Sequence, residues 1–129
     1  MKLPDLHDAS AAGLVEHHGS PDTVAHAAEA AKLRFLPVDL AKADSKAALL
    51  AALGKGLKLP DHFGDNWDAL ADSLEDRDWL GKNGVAIRLG HASAFKKAHP
   101  HDWETLEDIL SEAVEFWKEL HVPFWVFVA

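Results

Sequence analysis

The sequence predicts an α/β fold in which a small three-stranded parallel sheet packs with helices, preceded by an N-terminal helical extension. Runs rich in strand formers occupy 32–40, 85–89 and 122–128, and segments of helical periodicity separate them. Strands alternating with helices imply parallel pairing through right-handed crossovers. The runs are nearly continuous in apolar residues, which calls for cover on at least one face of the sheet. With 129 residues, 48% of them hydrophobic, the chain can bury one core, so one such domain is expected, over 32–129.

Residues 1–31 read as an extension with one short helix. Ser20-Pro21-Asp22 offers an N-cap followed by proline at the first helical position, and 23–31 is rich in alanine. The run 32–40 opens the sheet, and Pro37 within it fits a strand that lies at an edge or bends at its end. Ser45 can cap a helix whose Leu49, Leu50, Leu53 and Leu57 recur at helical spacing. Gly54 and Gly56 weaken its far end by about 1 kcal/mol each, and Leu59-Pro60 stops it. Asp61-His62-Phe63-Gly64 connects to a second helix running from about Asp65 to Glu75. Asn83-Gly84 is a turn signal ahead of the strand 85–89, and 92–98 can form a helical turn before Pro100.

Asp102 is the expected cap of the longest helix. Trp103, Leu106, Ile109, Leu110, Ala113, Phe116, Trp117 and Leu120 share one of its faces, opposite Glu104, Glu107, Asp108, Glu112, Glu115 and Glu119. The final run, 122–128, is too short to cross a bilayer and reads as a central strand.

Composition narrows the function classes. Twenty-one acidic against 13 basic residues give a net charge of -8, which disfavours a surface that tracks nucleic-acid phosphates and suits a cationic partner or simple solubility. The absence of cysteine removes disulfides, thiolate zinc ligands and a cysteine nucleophile, and the first residues lack the apolar stretch of a signal peptide, so a cytoplasmic location is expected. Neither His17-His18 nor His99-Pro100-His101 has zincin-like spacing, so no metal or other cofactor is expected. No G-x-S-x-G, P-loop or G-x-G-x-x-G occurs, and no enzymatic activity is expected. The five tryptophans fall mostly in core phase rather than on a base-stacking surface.

One helix carries an unusual pattern. At about 100° per residue, Trp67, Leu70, Ala71 and Leu74 cluster on one side, while Asp65, Asp68, Asp72 and Asp76 fall within a stripe of roughly 60° opposite them. First-turn carboxylates complement the helix dipole, but Asp72 and Asp76 come later, where aspartate is a poor helix former. Like charges four residues apart also cost about 0.2–0.5 kcal/mol per pair. With no lysine or arginine on the stripe, local stability does not account for it. A pair of carboxylates can act as general acid and base, but that chemistry needs a pocket that separates their pKa values, and this stripe lies on a predicted exposed face.

The segment Leu59-Pro60-Asp61-His62-Phe63-Gly64-Asp65-Asn66-Trp67-Asp68-Ala69-Leu70-Ala71-Asp72-Ser73-Leu74 resembles the signature of the barstar family, intracellular inhibitors of secreted microbial ribonucleases. The order of elements from about residue 32 to 129 follows the same family, so the resemblance spans about three quarters of the chain. It implies a barstar-like fold and a basic ribonuclease or nuclease toxin as partner. It further implies that Asp68 and Asp72 face the cationic active site, that His62 and Phe63 occupy the two aromatic positions of the binding loop, and that Gly64 lets the loop backbone approach the partner. Asn66 matches an asparagine of the same segment. The chain departs from the family at Ala71, where a tryptophan is usual, and at His62, which replaces a tyrosine. A further acidic contact from the last helix is not fixed by motif, with Glu112 and Glu115 as candidates. A protein that kept the fold for another regulatory or structural binding role is the alternative expectation.

Overall fold

The computed structural model describes residues 3–59 and 66–129, and its centre is the apolar run near the C-terminus. Strands β1 (Leu14–Glu16), β2 (Arg34–Asp39), β3 (Val85–Gly90) and β4 (Phe124–Val128) form one parallel sheet in the order β1-β4-β3-β2. The expected count of three strands is therefore corrected to four among the described residues. The added strand comes from the N-terminal segment and pairs Leu14, Val15 and Glu16 with Val126, Phe127 and Val128. Three residues are too few to display a period of two, so its formation depends on the edge that β4 offers. The strand β4 is central, as its composition suggests, and β2 is an edge strand in which Pro37 sacrifices no needed ladder bond.

Six α-helices and a short 3-10 turn at Ala9–Ala11 accompany the sheet among the described residues: α1 (Pro21–Ala30), α2 (Lys46–Gly56), α3 (Trp67–Leu74), α4 (Arg77–Leu80), α5 (Ala92–Ala98) and α6 (Pro100–Glu119). The strand order explains their distribution. The steps β2 to β3 and β3 to β4 advance across the sheet in one direction, whereas β1 to β2 returns from edge to edge. Right-handed crossovers in opposite directions fall on opposite faces. Accordingly Leu36, Val85, Ile87, Phe124 and Val126 pack with Leu49, Leu53, Leu70, Leu74, Leu106 and Trp117 from the later helices. Ala86, Trp125 and Phe127 instead meet Leu6, Ala12, Val24 and Ala28 of the N-terminal segment.

Local chemistry fixes the boundaries. The Ser20 hydroxyl accepts from the Asp22 N–H with Pro21 at the first helical position, and the Ser45 side chain accepts from Ala48 N–H at 3.1 Å, as the sequence suggests. Despite its glycines α2 continues to Gly56, where a Cβ would lie 2.7 Å from Val38 Cγ2, so glycine lets the helix seat on β2. Helices α1, α2 and α6 each end in a left-handed residue, Lys32, Lys58 and His121, after which the N–H of Leu33, Leu59 and Val122 returns to the carbonyl of Ala28, Gly54 and Trp117. Gly84, with φ of 111°, makes the turn into β3.

Helix α6 differs from expectation at both ends. It starts with His99 as the flanking residue and Pro100 at the first helical position, whose fixed φ and missing N–H suit that place, so Asp102 sits inside the first turn rather than capping it. Towards the other end Val114 joins the buried face, while Phe116 and Leu120 remain 38% and 47% exposed.

Candidate partner-binding face

Helix α3 is built to hold one face in and the other out. Asn66 takes an extended backbone (φ −134°, ψ 165°) and its side-chain oxygen accepts from the Ala69 N–H at 2.8 Å, so the helix begins at Trp67 rather than near Asp65. Leu70 and Leu74 are fully buried, Trp67 and Ala71 are half-buried, and the Lys46 ammonium stands 5.7 Å above the Trp67 ring. At its far end α3 is tied to α6, since the Trp117 indole N–H donates to the Leu74 carbonyl at 2.7 Å. The Arg77 guanidinium covers the Trp117 ring at 5.5 Å.

The outer side carries Asp68 and Asp72, both exposed and one helical turn apart. Among the described residues no lysine, arginine or histidine forms an ion pair with either carboxylate. Asp76 leaves the stripe: α3 ends at Leu74, and the Asp76 carboxylate caps α4 by accepting from the Asp78 N–H at 2.8 Å. Its aspartate is thus explained by local structure.

A further carboxylate joins the face just beyond the helix. Glu75 is partly buried, and that burial raises its pKa above the ordinary glutamate value, with added repulsion from Glu112 and then Asp72. Glu112 of α6 is thus close enough to repel Glu75, whereas Glu115 lies against Lys118 at 3.5 Å. Sequence reasoning passed over Glu75; its spacing of three from Asp72 was the available signal. The loop positions His62, Phe63 and Gly64, with Asp65, lie outside the described residues.

Other locations offer less. Open parallel sheets commonly bind ligands at the carboxyl ends of their strands. There His91 Nδ1 meets Asp39 Oδ1 at 2.9 Å, and the Asp39 carboxyl is held below its ordinary value by the Ala41 N–H and then by His91. The adjoining cleft, about 360 Å³ and open to solvent, is lined by Arg88, His91, Ser93, Ala94 and Ala129. Among the described residues no group of three or more histidine, aspartate or glutamate side chains is placed to hold a metal ion, and no helix is long and apolar enough to cross a membrane. Three tryptophans are core residues with satisfied N–H groups: Trp79 donates to the Leu57 carbonyl, Trp117 to Leu74 and Trp125 to Leu6.

Residues 33–129, about three quarters of the chain, match the family model described as Barstar (barnase inhibitor). The chain belongs to the barstar family. This is a family of protein inhibitors rather than of enzymes. No curated protein matches the chain. The barstar match contains the whole of α3 and α6, and therefore Asp68, Asp72, Glu75 and Glu112. It begins at Leu33, so β1 and α1, which complete the sheet and cover its second face, precede the barstar region.

Proposed function

We propose that this protein binds a basic microbial ribonuclease, barnase-like or a related nuclease toxin, and blocks its active site with the outer face of α3 and the loop before it. The observation that carries this reading is the pair of exposed carboxylates, Asp68 and Asp72, on one face of a helix that a cap and two buried leucines hold rigidly. A ribonuclease lines its cleft with cations that bind RNA phosphates. Two carboxylates at helical spacing can stand in for those phosphates and pair with arginine or lysine through charge-assisted hydrogen bonds. The net charge of -8 adds long-range attraction that speeds encounter and weakens with salt. His62, Phe63 and Gly64 supply the loop part of the contact, and Asn66 contributes by holding the start of α3 in place. On this reading the barstar-like part, 32–129, carries the binding face, and 1–31 serves it by completing the fold. Inhibition of this kind acts where RNA must be protected, in the cytoplasm.

Titrating the protein into RNA-cleavage assays of barnase and other basic ribonucleases tests the proposal. Stoichiometric inhibition of at least one nuclease, weakening as salt rises, is expected. If none is bound or inhibited at micromolar protein, the reading falls to its alternative, a barstar-fold protein with another regulatory or structural partner, which the replacements Ala71 and His62 favour.

A further inference from the structure

Among the described residues, the exposed large hydrophobics are Phe116 and Leu120, 38% and 47% accessible; Phe116 lies in the last turn of α6 and Leu120 caps its end four residues on. Single apolar residues scattered over a surface need no explanation, but these two are neighbours. Their position relative to α3 is fixed by three contacts. Phe116 packs edge-on against Trp117 with centroids 4.9 Å apart, the Trp117 indole N–H donates to the Leu74 carbonyl at the end of α3, and α3 and α6 pack side by side. The end of α3 and the Phe116 ring therefore both adjoin Trp117 at the α3–α6 seam, with Leu120 four residues beyond Phe116.

We propose that the partner-binding face crosses this seam onto α6, where Phe116 and Leu120 form an apolar anchor for the same cationic protein that meets Asp68 and Asp72. This rests on the inhibitor reading above. The surroundings decide the occupant. Exposed Glu112, Glu115 and Glu119 flank the pair, Lys118 lies against Glu115, and Arg77 is laid over Trp117. A second copy of the chain would bring this acidic border against itself, with -8 on each molecule. A basic surface with an apolar projection meets both the charges and the rings. In such an interface the acids govern encounter and its salt dependence, and a desolvated aromatic and leucine govern residence time.

The test compares wild type, Leu120→Ser, Phe116→Ser/Leu120→Ser and Asp72→Ala, each confirmed to unfold cooperatively, in binding kinetics with barnase and other basic ribonucleases. Leu120→Ser leaves the Phe116–Trp117 contact untouched and so separates lost docking from lost folding. The double variant is expected to dissociate at least about tenfold faster, with an unchanged salt dependence of association, and Leu120→Ser to show a smaller change in the same sense. Wild-type binding that Asp72→Ala weakens but neither α6 variant alters would overturn the anchor and leave the inhibitor reading standing. Absence of binding by wild type would remove both. A wild-type dimer in sedimentation that Leu120→Ser dissolves would assign the pair to self-association and overturn the proposal.

Discussion

The two faces of the sheet divide their bulk in opposite ways. On the face that meets α2, α3 and α6, the helices bring leucines and Trp117 to strands bearing Leu36, Val85, Ile87, Val126 and a single ring, Phe124. On the other, the strand brings two rings: Trp125 and Phe127 stack with centroids 5.8 Å apart and planes 8° apart, and α1 answers with Val24 and Ala28, joined by Ala31 just past its end. Close packing requires only that volumes sum across a contact, so a helix that looks weakly amphipathic can still seal a core. The barstar match covers the first face and begins where the second face's cover ends.

Loss of the N-terminal cover has the largest expected effect on the molecule. Deleting residues 1–31 would expose Trp125 and Phe127, open the edge of β4 and take away the Leu6 carbonyl that accepts from Trp125 Nε1 at 2.9 Å. Loss of cooperative thermal unfolding with binding of a hydrophobic dye is expected. A truncated chain that melts at the full-length midpoint would show the segment to be dispensable. Within the full chain, Trp125→Ala should cost about 3–5 kcal/mol in urea unfolding, as a large deletion from a closed core does.

The comparison also explains what was legible. The strands 32–40, 85–89 and 122–128 announced themselves because their own composition is strand-like, and the signature from Leu59 to Leu74 pointed to α3. The second face did not announce itself. Its helix buries only Val24 and Ala28, small residues of little hydrophobic contrast in an alanine-rich run, and the rings they fit lie about a hundred residues later. Strand β1 was hidden by its length. At the site, Asp68 and Asp72 were readable from periodicity, but the partial burial of Glu75 and its repulsion by Glu112 arise where α3 packs on α6, a meeting of segments distant in the chain. Asp76 was misread because a helix break and a new cap at that position look, in sequence, like one more turn.

Smaller effects separate the proposed binding face from the core beneath it. Asn66→Ala should cost about 1 kcal/mol of stability by removing the cap of α3, and should reduce partner binding with it. Glu75→Gln should act in the opposite direction on folding, because the native state disfavours the Glu75 charge. A raised native pKa means that the Glu75 contribution is intact below the ordinary glutamate value of 4.5 and is lost as pH rises through the raised one. The stabilising gain of Glu75→Gln should therefore be absent at low pH and reach about 0.2–0.5 kcal/mol near neutrality, the scale of a like-charge pair. A chemical-unfolding series from pH 3 to 8 would measure it, and a gain that grows as pH falls would contradict the assignment.

Asp68 and Asp72 test the account most directly, because their carboxylates are exposed and support no ion pair among the described residues. In an Asp68→Asn/Asp72→Asn variant, unfolding free energy should stay within about 0.5 kcal/mol of wild type while inhibition of the nuclease is lost. Full inhibition by the folded double variant would place the binding face elsewhere on the molecule.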